Sequence, residues 1–210
     1  MHGSEAVSPW VARWAHLVAP GASVLDVACG MGRHAVYFAE KNHPVTLIDR
    51  AQEALDSAAA RLPSTAQPIM ADIENGPWPL ADGAGQVQQF GCVVVTNYLW
   101  RALLPTIVAS VAPGGVLIYE TFAHGHAAVG KPSRPDFLLQ PGELLRACAG
   151  LRIVAYEDGF LAQPARYVQR IAAVREAAAS GTNSTLSPPA HEKAENSASM
   201  APQRYLLEPL

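Results

Sequence analysis

The run Val24-Leu25-Asp26-Val27-Ala28-Cys29-Gly30-Met31-Gly32-Arg33-His34-Ala35 constrains this chain more than any other feature. An apolar strand enters a glycine turn that opens directly onto an amphipathic helix. Gly30 can take backbone angles that a Cβ resists, and Gly32 leaves bare main chain for a ligand to approach. The first N–H groups of the following helix lack intrahelical partners and favour an anion. The next strand, Val45-Thr46-Leu47-Ile48-Asp49, ends in a carboxylate about 20 residues beyond the turn, the spacing at which an acid takes a ribose diol. Together these residues imply a site for an adenosine-containing ligand. Asp49 would also serve as a helix cap, so the spacing carries the reading.

At 210 residues, with 50% hydrophobic and 16% charged content, the chain suits one globular α/β domain with a sizeable core. A net charge of −3 with no basic block argues against nucleic acid as a partner, because phosphate contacts need clustered Lys and Arg. Cys29, Cys92 and Cys148 are odd in number and lack Cys-x-x-Cys spacing, which suggests neither a disulfide framework nor a zinc knuckle. The N-terminus Met1-His2-Gly3-Ser4-Glu5 has no signal-peptide character, and no apolar run is long enough to cross a bilayer. A cytoplasmic protein without a membrane partner is expected.

Periodicity orders the elements. Ser8-Pro9 starts a lead-in helix, followed by strand one, a helix over 32–41, strand two from Pro44, and an Ala-rich helix over 52–62. A short third strand over 67–71, a loop over 75–85 and a fully apolar strand over 90–96 follow. A helix over 100–112, a strand over 115–121, a helix over 142–148 and a hairpin of strands 151–156 and 166–174 complete the domain, which is expected over 1–175. The polar composition of 176–210 predicts a disordered tail. The alternation predicts an open, doubly wound, mostly parallel sheet with its ligand beyond the carboxyl ends of the strands.

Asp26 stands before the glycines, where dinucleotide-binding dehydrogenases have a glycine or apolar residue, and Asp-x-Ala-Cys-Gly-x-Gly resembles the first motif of class I S-adenosylmethionine-dependent methyltransferases. Asp49, Ala71-Asp72-Ile73, Asn97-Tyr98 and Pro113-Gly114-Gly115 follow in that family's order. Tyr119-Glu120-Thr121-Phe122, Gly130-Lys131-Pro132 and the stretch Pro135 to Leu144 resemble its subgroup related to tellurite-resistance methyltransferases. The resemblance implies a Rossmann-like seven-stranded sheet of order 3-2-1-4-5-7-6, S-adenosylmethionine as cofactor and a small-molecule methyl acceptor. It places Asp26, Ala28, Gly30, Gly32 and Arg33 in the cofactor loop. Asp49 and Arg50 fall at the ribose, Asp72 and Ile73 at the adenine, and Asn97 beside the methionine moiety.

Tyr98, Trp100, Arg101, Tyr119, Glu120 and Phe122 lie at or after the carboxyl ends of strands four and five, and are expected to converge on the acceptor. Tyr119, Glu120 and His124 are the candidate acids or bases. Arg33 either pairs with the methionine carboxylate or is a solvated helix arginine, and His34 either meets the ligand or lies on the surface. Cys29 reads as a small packing residue, since no base is paired with it. His124-x-His126 lacks a second ligand cluster, so no metal site is expected. The insert 123–139 suits either a lid or a rigid packed loop. Two other readings stay open. Gly30-x-Gly32-x-x-Ala35 also satisfies the fingerprint of an NAD(P)-dependent oxidoreductase, and a non-catalytic S-adenosylmethionine-binding module would share the loop.

Overall fold

Ser8 and Pro9 start the first helix as the sequence predicts. In the computed structural model, which describes residues 6–177, the Ser8 hydroxyl accepts the Trp10 amide at 3.2 Å and Pro9 opens α1 (Pro9–Trp14). The chain continues through β1 (Val24–Val27), α2 (Arg33–Ala39), β2 (Val45–Asp49), α3 (Gln52–Ala59), β3 (Gln67–Met70) and β4 (Phe90–Thr96). It ends with α4 (Leu104–Ala109), β5 (Val111–Phe122), α5 (Glu143–Ala147) and the hairpin β6 (Arg152–Ala162) and β7 (Ala165–Val174). One seven-stranded sheet of order β3-β2-β1-β4-β5-β7-β6 results, parallel through β5 with β7 antiparallel between β5 and β6.

The strand pleat divides the core into two layers. Val24, Leu47, Val94 and Ile118 face Trp10, Trp14, Phe38 and Leu55 of α1–α3, while Leu25, Val93, Val95 and Leu117 face Leu104, Ile107 and Leu144 of α4 and α5. β4 is buried on both faces, as its uninterrupted Val93-Val94-Val95 run requires. Since β2 lies on one side of β1 and β4 on the other, the carboxyl end of β1 sits where the winding reverses.

Two boundaries differ from expectation. The helix expected over 100–112 is a 3₁₀ turn (Arg101–Leu103) followed by α4, because Val111 already pairs with Phe90. β5 therefore begins before the Pro113-Gly114-Gly115 turn and carries it as an irregularity in the ladder, with the register shifting between Phe90 and Cys92. The hairpin strands are also longer than expected, with pairing that continues to Ala162 and Ala165. The expectation for 176–210 falls, from residue 178 onward, outside the described residues.

Candidate cofactor and acceptor site

The turn after β1 is built from left-handed backbone: φ is 51° at Ala28, 53° at Gly30 and 71° at Gly32. Asp49, at the end of β2, fastens it. Its Oδ2 accepts the Gly30 amide at 2.8 Å and its Oδ1 accepts the Ala51 amide at 2.9 Å. Each carboxylate oxygen keeps a lone pair for a further donor. The two glycines have different jobs from those the sequence suggests. A Cβ on Gly32 would stand 2.6 Å from the Ala58 Cβ of α3, so the packing of α3 requires Gly32 to be small. A Cβ on Gly30 would meet nothing within 4 Å, and that is the bare main chain a ligand can reach.

Ala28, Asp49, Arg50, Asp72 and Ile73 line one cavity at the carboxyl ends of the strands, together with Ala71, Glu74 and Tyr98. The structure thus gathers all five from separate stretches of sequence. Asp72 organises its own turn: Oδ1 accepts the Glu74 and Asn75 amides at 3.1 and 3.2 Å, and Oδ2 accepts the Asn75 side-chain amide at 2.9 Å. Those bonds hold its carboxyl below the usual carboxylate range. Asn97 ends β4 with φ 55°, which asparagine tolerates, and its amide donates to the Glu120 carbonyl at 2.9 Å. Tyr98, expected on the acceptor side, belongs to this cavity instead, and Glu74 was not singled out by the sequence. Neither the turn of the Tyr98 ring nor the reach of Glu74 across to it leaves a mark in residue spacing.

Beneath the glycine turn, Asp26 is buried and its Oδ2 accepts the Ala35 amide at 3.1 Å, pinning the first turn of α2. Burial raises its pKa to about 8, against the lowering effects of that amide and of Arg33. His34 is buried rather than on the surface, and its Nε2 accepts the Ser8 amide at 3.4 Å. Burial, reinforced by Arg33, lowers its pKa to about 3. Arg33 Nη1 donates to the Ala6 carbonyl at 3.4 Å, so this guanidinium ties the N-terminal segment to α2. The Cys29 thiol is buried, and desolvation pushes its pKa far above normal, in keeping with a packing role.

Three acceptor-side expectations change. Tyr119 is buried between the sheet and α4–α5, and its hydroxyl donates to the Tyr98 carbonyl at 2.8 Å. Burial raises its pKa well beyond the usual phenol range, so it is a structural donor and not a base. Glu120 is buried and both of its oxygens are engaged: Oε1 accepts the Ser8 hydroxyl at 2.9 Å, and Oε2 accepts Arg170 Nη1 at 3.2 Å. Arg166 Nη2 stands 3.8 Å from Oε1, and Arg170 also donates to Glu157 at 2.7 Å while lying over the Trp10 ring. Glu120 is thus the hub joining α1, β5 and β7, with no lone acid function. Arg101 is a clamp: it pairs with both Glu143 oxygens at 2.8 and 3.0 Å and donates to the Asp136 and Leu138 carbonyls at 2.7 and 2.8 Å. It therefore fixes the end of the insert to α5 and is not a pocket residue.

The insert is closed at its base by a bridge between Ala123 and Leu139. Half-buried Phe122 stacks on His126 at 4.4 Å, and the His126 nitrogens face the Lys131 carbonyl at 3.1 Å and the Tyr167 amide at 3.4 Å. His124 is exposed, and Trp100 is half-buried. Among the described residues no group of three His, Cys, Asp or Glu is placed to share a metal ion.

The sheet order, the left-handed glycine turn and the acid at the end of β2 define a Rossmann-like domain for an adenosine-bearing ligand. A family profile described as "Methyltransferase domain" matches residues 24–115. Malonyl-[acyl-carrier protein] O-methyltransferase of Serratia marcescens is 34% identical over 110 residues, which are 50% of this chain and 40% of that protein. The chain thus spans about two fifths of the length of that curated relative. In fold it is similar to TehB from Haemophilus influenzae (TM-score 0.64, 19% identity, 83% of this chain and 64% of that one). It is also similar to a TehB-like S-adenosylmethionine-dependent methyltransferase from Corynebacterium glutamicum (TM-score 0.57, 18% identity, 80% and 88%). In fold, and over the matched segment, the chain is similar to class I S-adenosylmethionine-dependent methyltransferases.

Proposed function

We propose that this protein binds S-adenosylmethionine and transfers its methyl group to a small-molecule acceptor. One observation carries the reading: a single cavity joins Ala28, Asp49, Arg50, Asp72 and Ile73 at the point where the sheet's winding reverses. The residues present suit this cofactor. Asp49 has lone pairs left for a diol, and Gly30 presents open main chain beside it. Once bound, the cofactor supplies an electrophilic methyl on a sulfonium, which departs as S-adenosylhomocysteine when an acceptor lone pair forms the new bond.

The chain's own contribution is placement. Asp49 and the glycine turn fix one end of the ligand, and Asn97 lies at the end of β4, toward the methionine moiety. Aligning two reactants and excluding water lowers such a barrier without any proton transfer. The engaged state of Tyr119 and Glu120 supports that mechanism, since neither is free to act as a base; His124 is the one exposed candidate. The matched methyltransferase domain weighs against the nicotinamide reading. The three buried free thiols fit a reducing cytosol.

The test is methyl transfer from labelled S-adenosylmethionine to a panel of small thiols, amines and carboxylates, alongside a malonyl thioester of an acyl carrier protein. Label on a small acceptor supports the proposal. Label on the carrier-bound thioester alone overturns the small-molecule acceptor. Binding of S-adenosylhomocysteine with no transfer to any acceptor marks a non-catalytic module.

A further inference from the structure

Ser8, His34 and Glu120 are all buried, and they come from the lead-in to α1, the first turn of α2 and the later part of β5. The Ser8 amide donates to His34 Nε2 at 3.4 Å, and the Ser8 hydroxyl donates to Glu120 Oε1 at 2.9 Å while accepting the Trp10 amide at 3.2 Å. Burial, reinforced by Arg33, lowers the His34 pKa to about 3, so the imidazole is neutral and its Nε2 stays an acceptor. Two residues before Ser8, the Ala6 carbonyl accepts Arg33 Nη1 at 3.4 Å, and half-buried Val7 packs on the core layer of α1–α3. Capping α1 takes only the bond to Trp10, which leaves the bonds to His34 and Glu120 as ties between distant segments.

Those ties set where residues 6–8 run. His34 is the second residue of α2, directly behind the glycine turn that follows β1, and Glu120 lies two residues from the end of β5. β4 stands between β1 and β5 in the sheet, so a segment bonded to both flanks brackets the end of β4, where Asn97 sits. The Asn97 amide in turn donates to the Glu120 carbonyl at 2.9 Å. Ser8 thus joins the helix behind the glycine turn to the strand ends that hold Asn97.

We propose that residues 6–8 form a strap at the methionine end of the cofactor site, latched by Ser8, and that the strap must open for the cofactor to enter and for S-adenosylhomocysteine to leave. This rests on the cofactor reading above. A three-residue segment held by a few hydrogen bonds opens at far lower cost than the core strands beneath it, so it can move while the sheet stays folded. Ser8 is not among the residues lining the Asp49 cavity. A latch that makes no ligand contact has no differential affinity to spend, so loosening it speeds entry and exit alike and leaves the equilibrium nearly unchanged.

The test measures release of labelled S-adenosylhomocysteine, chased with unlabelled ligand, beside its dissociation constant by calorimetry, for the wild type, Ser8→Ala, Ser8→Thr and His34→Leu, with folding checked by circular dichroism. Ser8→Ala breaks the tie to Glu120, and should speed release about tenfold, the rate equivalent of one lost hydrogen bond to a charged group. His34→Leu breaks the tie to α2 while sparing the hydroxyl cap, and should speed release about fivefold, the scale of a neutral bond. Ser8→Thr keeps the hydroxyl and should release within about twofold of the wild type. The dissociation constant should stay within about threefold in every variant. Release unchanged in Ser8→Ala and His34→Leu, or affinity that weakens in step with the faster release, overturns the strap while the cofactor reading stands. A wild type that does not bind S-adenosylhomocysteine brings down the cofactor reading and the strap together.

Discussion

The Asp49 carboxylate holds the amide of Gly30 at 2.8 Å, so the acid that ends β2 shapes the turn that follows β1. The loop scaffold and the proposed ribose-binding residue are here one side chain. Asp49→Ala removes the Gly30 and Ala51 bonds as well as the expected ribose contact. S-adenosylhomocysteine binding should weaken by at least about 1.5 kcal/mol, the lower end for a lost charged hydrogen bond. Undiminished affinity by calorimetry, in a variant with an unchanged circular dichroism spectrum, removes the ribose assignment.

The glycines should separate stability from binding. Gly32→Ala puts a methyl 2.6 Å from the Ala58 Cβ at φ 71°, so overpacking and left-handed strain add to a loss of about 2–4 kcal/mol of folding stability. Gly30→Ala meets open space and should cost only about 1–2 kcal/mol of left-handed strain, yet impair ligand binding. Denaturant midpoints and calorimetry on both variants check this. Equal loss of stability at the two positions contradicts the packing role of Gly32.

Glu120 is expected to act as a structural hub. Glu120→Ala leaves Arg170 with Glu157 alone and deprives Arg166 and the Ser8 hydroxyl of their carboxylate in a buried region, with a loss of about 3 kcal/mol. Glu120→Gln retains the shape and an acceptor, so methyl transfer by that variant should keep the wild-type dependence on pH. A limb of the pH–rate profile that disappears in Glu120→Gln identifies it as an acid or base after all.

Two buried titratable groups bracket the pH range of stability. Asp26 has its pKa raised from 3.8 to about 8, so its contribution is full below about pH 4 and lost as pH climbs through 8. His34 has its pKa lowered from 6.5 to about 3, so its contribution is full above about pH 6.5 and lost as pH falls toward 3. The two slopes oppose each other between those limits, which leaves a plateau at about pH 4–6.5 and a decline on either side. Melting temperatures across this range should fall above pH 6.5 in the wild type and fall less in Asp26→Asn. An unchanged alkaline decline in that variant contradicts the assignment to Asp26.

Much of this fold is legible in the sequence because its signals are local. The Val93-Val94-Val95 run can only be a strand covered on both faces, and Ser8-Pro9 caps a helix by its own chemistry. The start of β5 was hidden because Pro113-Gly114-Gly115 reads as a turn, while the pairing of Val111 with Phe90 is decided across strands. The cavity residues are readable by position, since strand ends fix where Asp49 and Asp72 must stand. The acceptor side is not: Arg101 finds Glu143, and Ser8 finds Glu120, only after folding brings distant segments together. Gly32 likewise owes its small size to Ala58, a neighbour that no motif spacing reveals.

The central claim is that the cavity at the ends of β1–β4 is an S-adenosylmethionine site, and calorimetric titration of the wild-type protein tests it most directly. S-adenosylhomocysteine should bind with a dissociation constant on the micromolar scale, about −8 kcal/mol, and NADH should neither bind nor compete. Tight NADH binding without any response to S-adenosylhomocysteine would contradict the account and return the glycine turn to the dinucleotide oxidoreductases.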